Sequence, residues 1–231
     1  MKVPQVLQSL PDPDAKLLLR AGSVKHYQRR DVLVHEGDVA DSFHILLDGR
    51  AAVRVTTPSG DNAIVNVLGP DEHFGEVSLL GRGDPRRTAS IVALEKVRTL
   101  SIPATVFHDL RERNPRLESL VSTILARRVD ELSAQLVEAM YDSLDRRVVR
   151  RLCGLARIYG SGGDDRDDGD DGEIKGTVTI PLTQDELSQL VGGARPSVNQ
   201  VLRRLADDGH LDVRRGRILV SDMPALRKLL S

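Results

Sequence analysis

A run of short apolar segments, each ended by turn-forming residues, occupies positions 31–102 and limits the possible fold more than any other feature. Apolar and polar residues alternate in several segments, as in strands that bury one face. Turn residues cluster between them, for example in Pro58-Ser59-Gly60-Asp61. This close spacing predicts a β-barrel or jelly roll and not a parallel sheet. The predicted strands are 32–34, 43–47, 53–55, 64–68, 91–94 and 97–102.

Helical patterns flank the strand region, and 231 residues suit two modest domains. Residues 1–27 predict short amphipathic helices broken by prolines, and 103–114 predicts a helix that ends before Pro115. The expected fold class is α+β: an N-terminal jelly roll, a long helix and a C-terminal helical domain. The predicted boundaries are 1–115 for the β-roll, 116–140 for the long helix, 141–145 for a hinge and 146–231 for the C-terminal domain.

The long helix carries a narrow apolar seam. Its apolar residues step by four, three, four and three positions, at Leu125, Val129, Leu132, Leu136 and Ala139. This heptad spacing is typical of two helices that pack along a common line. The stripe would also suit a helix packed on its own β-roll, but charged flanks such as Arg128 and Glu131 favour a partner helix. We therefore expect a homodimer.

Residues 74–90 combine the groups that a cyclic sugar phosphate needs. Gly75 permits close backbone approach, Glu76 is suited to accept from a ribose hydroxyl, and Arg87 can pair with two phosphate oxygens. Thr88 adds a hydroxyl, and backbone N–H groups near Gly75 and Ala89 can complete an anion-binding nest. The alternative is a surface turn whose arginine and glutamate merely pair. Because no metal or nucleophile is required, the motif predicts binding and not turnover.

A helix-turn-helix pattern followed by a hairpin occupies 183–220. Thr183 and Glu186 form a capping-box pattern at the start of the first helix, and Val191-Gly192-Gly193 marks the turn. The second helix is predicted over 194–208, where Pro196 is acceptable because it lies in the first turn. A hairpin with a basic tip follows. A helix-turn-helix with such a wing predicts a DNA-binding domain.

Polar side chains cover the second helix outside its apolar face. Arg can read guanine, and Asn or Gln can read adenine, in the major groove. Arginines late in the helix, Arg204 among them, and on the wing are better suited to phosphates, although a solvated helix face would carry the same residues. The predicted DNA-contact residues are Thr183, Arg195, Ser197, Asn199, Gln200, Arg203, Arg215 and Arg217.

A net charge of −1 does not exclude a polyanionic partner, because the acidity is concentrated. Acidic side chains crowd between Asp164 and Glu173, within a Gly-rich segment at 160–176. This composition predicts a flexible loop. Neither possible glycine register gives the ligand spacing of a calcium-binding loop, so no metal site is predicted.

The remaining composition narrows the protein class. The single cysteine, Cys153, excludes an internal disulfide and a cysteine-only iron–sulfur cluster within one chain. No stretch of about 18 apolar residues is present, which predicts a soluble cytoplasmic protein. No catalytic triad, paired carboxylates or paired histidines are visible, so we do not expect an enzyme.

Together these motifs resemble the bacterial catabolite activator/FNR (CRP/FNR) family of transcription regulators over nearly the whole chain. The similarity extends to Glu36-Gly37-Asp38 and Leu47-Asp48-Gly49. It implies a dimer on the long helix that binds a palindromic double-stranded DNA operator and contacts RNA polymerase. It also implies a cyclic nucleotide as allosteric effector, cAMP as first choice and cGMP as alternative, held by Gly75, Glu76, Arg87 and Thr88.

Two departures from the family pattern concern specificity. In the activator the long helix presents a Thr and a Ser to the adenine, and the corresponding residues here are Leu132 and Ser133. One base-reading hydrogen bond is therefore in doubt. The activator's recognition helix carries Arg-Glu and a later Arg, where this chain has Arg195, Pro196 and Gln200. We therefore expect a different operator sequence.

Two alternatives to a cyclic-nucleotide-dependent regulator stay open. A regulator of the same architecture could respond to another effector or to none. A cyclic-nucleotide-binding module could also lack any DNA role, although the helix-turn-helix and wing at 183–220 disfavour this.

Overall fold

The computed structural model describes residues 3–76, 85–112, 114–160 and 176–230. It divides into two compact units, Met1–Ala134 and Gln135–Ser231. Residues 77–84 of the cassette and 161–175 of the acidic segment, including the predicted flexible loop, lie outside the described residues. The predicted α+β class, with an N-terminal β-domain, a long helix and a C-terminal helix-turn-helix, is confirmed.

The β-domain consists of two four-stranded sheets whose neighbouring strands are antiparallel. The strands are β1 Ser23–Tyr27, β2 Val32–Val34, β3 Ser42–Asp48, β4 Ala51–Thr56, β5 Asn62–Leu68, β6 His73–Phe74, β7 Ser90–Ala93 and β8 Val97–Pro103. One sheet has the order β1-β8-β3-β6 and the other β2-β7-β4-β5. Apolar side chains of both sheets, such as Leu46 and Val53, share one buried cluster. This packing is that of a β-roll.

Helices cover the outer face of the first sheet. They are α1 Asp12–Ala21, α2 Ala104–Arg111 and the first half of α3 Pro115–Tyr141, and a short 3₁₀ helix, Gln5–Leu7, precedes them. Phe43 and Ile45 of β3 share a second buried cluster with Leu18, Phe107 and Ile124 of the three helices. Because alternate residues of a strand point to opposite faces, β3 is buried on both sides. This strand therefore connects the helices to the interior of the roll.

The expectation of helices throughout residues 1–27 is wrong at its end, where Ser23–Tyr27 forms β1. This strand lies at the edge of its sheet and, within the described part of the chain, pairs with β8 alone, for example Lys25 with Thr99. Four of its five residues are exposed, so no apolar alternation marks it in the sequence. The pairing with β8, and not a local pattern, determines this strand.

The second unit is a helical domain with a three-stranded sheet of order β10-β11-β9. Its elements after α3 are α4 Leu144–Gly160, β9 Val178–Ile180, α5 Gln184–Val191, α6 Arg195–Asp207, β10 Leu211–Arg214, β11 Arg217–Val220 and α7 Met223–Lys228. The sequence patterns did not predict β9 and α7. Its core contains buried apolar residues such as Leu152, Ile180, Val198 and Leu226.

Only Asp142 and Ser143 separate α3 from α4. The Asp142 carboxylate accepts hydrogen bonds from Arg150 Nε and Nη2, at 3.1 and 2.8 Å. Glu138 of α3 lies 3.5 Å from Arg151 Nη2 of α4. These ion pairs tie the last turns of α3 to α4. The hinge assigned to 141–145 stays a prediction.

Candidate ligand pocket and DNA-contact surface

Arg87 lies at the centre of the predicted phosphate site and is only 6% exposed. Its Nη2 donates to Ser42 Oγ over 3.0 Å and lies 3.5 Å from Asp41 Oδ1. Its Nη1 is buried and has no hydrogen-bond partner among the described residues. A buried donor without an acceptor costs free energy. An anionic oxygen beside Nη1 would therefore stabilise the site.

Gly75 provides the space beside this guanidinium. It follows β6 with a φ of +85°, in the left-handed region that glycine adopts without steric cost. A Cβ at this position would lie 2.5 Å from Arg87 Nη1 and 2.7 Å from the carbonyl oxygen of Ser42. Any side chain would thus occupy the space next to the unpartnered nitrogen. This contact gives the predicted close approach at Gly75 a geometric basis.

The turn at 36–40 holds the backbone of Arg87. Gly37 N donates to Arg87 O at 2.9 Å, and Arg87 N donates to Asp38 O at 2.8 Å. Ala40 N donates to Pro85 O at 2.7 Å. Gly37 and Asp38 of the Glu36-Gly37-Asp38 motif therefore position the arginine through their backbone.

Ser42 and His44, two residues apart on β3, extend the network around Arg87. His44 is 1% exposed, and its ring stacks on Phe74 with centroids 4.6 Å apart. Its Nε2 lies 3.0 Å from Ser42 Oγ. Burial, with a smaller contribution from the positive charge of Arg87, lowers the pKa of His44 to about 3. The imidazole is therefore neutral at physiological pH.

Sequence reasoning missed Asp41, Ser42 and His44 as members of this site. A usable signal exists, because Ser42 and His44 are polar residues at alternate positions in an otherwise apolar strand. Nothing in the sequence, however, indicates which distant residue they meet. The strand register brings them to Arg87.

The other predicted cassette residues differ in how they relate to Arg87. Burial lowers the pKa of the Arg87 guanidinium, and the nearby charges of Asp41, Glu76 and Asp38 act in the opposite direction. Thr88 is exposed and Ala89 half-buried, directly after the arginine. The structure therefore brings Gly75 and Glu76 close to Arg87, whereas Thr88 and Ala89 adjoin it only along the chain, and Ala89 packs against the interior of the roll. Leu132 and Ser133 are exposed on α3, outside the buried network.

Charged residues of α3 lie close to β6. Glu131 follows the buried Ile124 by seven positions and so lies on the same helix face, and it pairs with Arg128 at 3.1 Å. Burial raises the pKa of Glu72 and lowers that of His73, and both charged α3 residues contribute to each shift. The charges of α3 therefore act on the two residues that directly precede the cassette.

The apolar seam of α3 is exposed beyond its first residue. Leu125 packs against the core of the first unit, whereas Val129 and Leu136 are 61% and 60% exposed. Leu132 and Ala139 are exposed as well. An amphipathic helix normally buries such a stripe. The exposed seam has the width and spacing that a second helix requires.

Local interactions define the helix-turn-helix, as the sequence predicted. Thr183 Oγ1 accepts from Glu186 N at 3.1 Å, and Glu186 Oε2 accepts from Thr183 N at 2.7 Å. Gly192 ends α5 with a φ of +69°, and Pro196 lies in the first turn of α6. The hydroxyl of Thr183, a predicted DNA contact, is thus engaged in the cap.

The exposed side of the second unit carries most of the predicted DNA-contact residues. Asn199 differs, because it is half-buried, with an Oδ1 that has no partner among the described residues, and lines a cleft of about 190 Å³ beside β10. Arg204 Nη2 lies 2.6 Å from Asp145 Oδ1, so this arginine has an internal partner. The exposed residues are Arg195, Ser197, Gln200, Arg203, Arg215 and Arg217.

Within the described ranges, none of the helices combines the length and apolar character that a bilayer span requires. The same residues contain no group of three or more His, Cys, Asp or Glu side chains placed to hold a metal ion.

Comparisons with known proteins match both units. The family description "Cyclic nucleotide-binding domain" matches residues 24–114, and "Crp-like helix-turn-helix domain" matches 146–229. The CRP-like cAMP-activated global transcriptional regulator of Mycobacterium tuberculosis is 27% identical over 202 residues, covering 87% of this chain and 85% of the relative. The cAMP-activated global transcriptional regulator CRP of Pasteurella multocida is 28% identical over 216 residues, covering 93% and 98%. Among solved structures, the c-di-GMP responsive global regulator CLP of Xanthomonas campestris shares the fold, with a TM-score of 0.73 and 18% identity over 92% of this chain and 100% of that one.

Proposed function

The chain belongs to the CRP/FNR family of transcription regulators, and from this membership we propose that it is a homodimer whose affinity for operator DNA depends on a bound cyclic nucleotide. The first unit senses the nucleotide and the second binds DNA. Such a regulator acts in the cytoplasm, where it meets chromosomal DNA and RNA polymerase.

The proposed nucleotide site depends on one observation: Arg87 is buried, and its Nη1, which has no partner among the described residues, lies beside Gly75. A guanidinium offers two parallel N–H donors, which match two oxygens of a phosphate diester. Glu76 and Thr88 adjoin the arginine and are suited to the ribose and the phosphate. In a buried site such charge-assisted hydrogen bonds are little screened by salt.

The DNA half rests on the exposed polar face of α6 and on the basic wing. Arg195 and Gln200 are suited to base edges, and Arg203, Arg215 and Arg217 to phosphates. In a symmetric dimer the two recognition helices must lie about 34–36 Å apart to enter successive major grooves. The operator is then a palindrome.

Dimerisation through α3 connects the two halves. The exposed seam is suited to a helix partner, and Arg128 and Glu131 of the same helix act electrostatically on Glu72 and His73, directly before the cassette. A nucleotide that binds between the cassette and α3 can favour one arrangement of the dimer. The nucleotide can change the affinity for DNA only by as much as its own affinity differs between the two arrangements of the dimer.

cAMP is our first choice of ligand, since the curated relatives are described as cAMP-activated. Leu132 in place of the activator's threonine reduces base reading, and Thr88 leaves cGMP as the second candidate. The structural neighbour described as c-di-GMP responsive adds a third nucleotide to be tested.

Calorimetry and operator binding test this proposal. The wild-type protein should bind a cyclic nucleotide, and Arg87→Ala should abolish that binding, whereas Arg98→Ala, which removes a half-exposed arginine of β8, should not. DNA affinity is then measured with no nucleotide, cAMP, cGMP or c-di-GMP. Unchanged nucleotide affinity in Arg87→Ala contradicts the site assignment.

Selection of binding sites from random DNA tests the recognition helix. Pro196 cannot supply the glutamate contact to cytosine, and Gln200 changes the preferred partner base from guanine to adenine. We expect the selected sequence to differ from the activator's consensus at these positions. Recovery of the unmodified consensus would refute this assignment.

A further inference from the structure

Arg87 is held by a carboxylate that lies outside the cassette. Asp41 Oδ1 is 3.5 Å from Arg87 Nη2, and Ser42 Oγ lies between them, 3.0 Å from Nη2 and 2.9 Å from Oδ1. The Arg87 side chain is 5% exposed and the Asp41 side chain 78% exposed. A buried cation is thus neutralised by an anion at the solvent edge of the site.

The donors and acceptors around Ser42 determine which neighbour receives its hydroxyl proton in a hydrogen bond. The guanidinium of Arg87 can only donate, so Ser42 accepts from it, and the ionised Asp41 can only accept, so Ser42 donates to it. The neutral His44 must then donate from Nε2 to Ser42. Its Nδ1 becomes the acceptor nitrogen, and this atom is buried without a partner among the described residues. If Ser42 instead donated to His44, two oxygen lone pairs would face each other at 2.9 Å.

We propose that Asp41 is the resident counter-anion of Arg87 and that the phosphate of the ligand binds by exchange with it. In this exchange the Asp41 carboxylate is replaced by one phosphate oxygen. That oxygen pairs with Arg87 Nη2 and accepts the hydrogen bond that Ser42 Oγ otherwise donates to Asp41. The unpartnered Nη1 takes a second oxygen. Asp41 turns into water, at little cost because it is already largely exposed. This inference rests on the proposed cyclic-nucleotide function.

Two roles follow for residues outside the cassette. Asp41 competes with the ligand, so it lowers ligand affinity and stabilises the buried arginine in its absence. Ser42 is an additional phosphate-binding residue, because its hydroxyl has a donor to offer once Asp41 has left. The two neighbouring residues therefore act on affinity in opposite directions.

Asp41→Asn tests the competition, and Asp48→Asn is a matched control. Asp41 directly precedes β3, and Asp48 is its last residue. Asp48 is 67% exposed and lies 3.7 Å from Arg98, but Arg98 is 50% exposed. By calorimetry with cAMP and cGMP, Asp41→Asn should raise affinity about two- to fivefold, the range of a partly exposed ion pair. Asp48→Asn should not. Unchanged or weaker binding in Asp41→Asn, or an equal gain in both variants, overturns the proposal.

Thermal unfolding without nucleotide separates this inference from the proposed function. Asp41→Asn should lower the Tm by about 2 °C or more relative to Asp48→Asn, because it removes the carboxylate that lies 3.5 Å from a buried guanidinium. Equal Tm values overturn the counter-anion role. If the wild type binds no cyclic nucleotide, the proposed function fails, and the unfolding comparison alone decides for or against Asp41.

Ser42→Ala tests the second role. Losing the hydroxyl should weaken nucleotide binding about two- to tenfold, the usual worth of one hydrogen bond. The affinity should thus fall in Ser42→Ala and rise in Asp41→Asn. An unchanged affinity in Ser42→Ala overturns the exchange of its proton.

Discussion

Arginine has two different environments in the two units of this chain. Arg87 is 6% exposed and is held by Asp41, Ser42 and a backbone ladder. On α6 and the wing, Arg203, Arg215 and Arg217 are exposed. The first environment fixes one guanidinium before any anion arrives. The second leaves several guanidinium groups in water.

The difference explains how one residue type can serve two kinds of ligand. A buried, pre-oriented fork selects a single small anion by geometry, and its charge is little screened. An exposed array gains affinity for a polyanion by releasing counterions, which depends strongly on salt. Four experiments test this difference between the two units.

Salt should separate the two sites by the largest factor. Between about 50 and 200 mM salt, operator affinity should fall about 10³-fold if the dimer neutralises about six phosphates. Cyclic-nucleotide affinity should change about twofold or less over the same range, because the phosphate partner is buried. Fluorescence anisotropy and calorimetry in identical buffers measure both. Equal losses would contradict the distinction.

Replacing arginine by lysine should have unequal costs. Arg87→Lys keeps the charge but removes the planar fork and the hydrogen bond to Ser42, so nucleotide affinity should fall about 10- to 100-fold. Arg203→Lys keeps a phosphate-pairing charge at an exposed position and should weaken operator binding about threefold or less. Titrations of both variants with both ligands give the result. A similar loss in the two variants would remove the contrast.

Gly75→Ala should disturb the buried site beyond the cost of its backbone conformation. Gly60 has nearly the same φ, +88° against +85°, but a Cβ there meets nothing within 4 Å. Gly60→Ala should therefore show only the cost of a left-handed residue, about 1–2 kcal/mol in the free energy of unfolding. Gly75→Ala should lose more stability and also nucleotide affinity. Denaturant unfolding of the pair tests this, and equal losses would rule out crowding of Arg87.

Lowering the pH should reduce the free energy of unfolding, because His44 is buried in its neutral form. Its pKa is about 3 in the folded chain against about 6.5 when unfolded, so the unfolded state takes up the proton first as pH falls below about 6.5. Stability from this group is therefore complete above that pH and falls by up to about 1 kcal/mol between pH 6.5 and 5.5. His44→Gln should show a shallower dependence in denaturant unfolding. His26→Gln, at an exposed position of β1, is the control and should follow the wild type.

The comparison of the two units also separates what sequence patterns could predict. Most of the second unit could be predicted, because its helix ends depend on local residues. Thr183 and Glu186 bond to each other, Gly192 ends α5, and Pro196 lies in the first turn of α6. In the first unit most strands were predicted by alternation, but edge strand β1 was not, because its residues are mainly exposed. The sequence predicted part of the pocket. Gly75 and Arg87 belong to a recognisable motif, whereas Asp41 and Ser42 do not.

The α+β class, the capped helix-turn-helix and the residue types suited to a phosphate could be predicted from the amino-acid sequence alone. Each of these depends on hydrogen bonds or side-chain periodicity within a short stretch of chain. The burial of Arg87, its ion pair with Asp41 and the partial burial of Asn199 follow only from the folded structure. These features depend on strand register and packing between residues distant in the chain, and a one-residue change in register would turn every side chain of a strand to its other face.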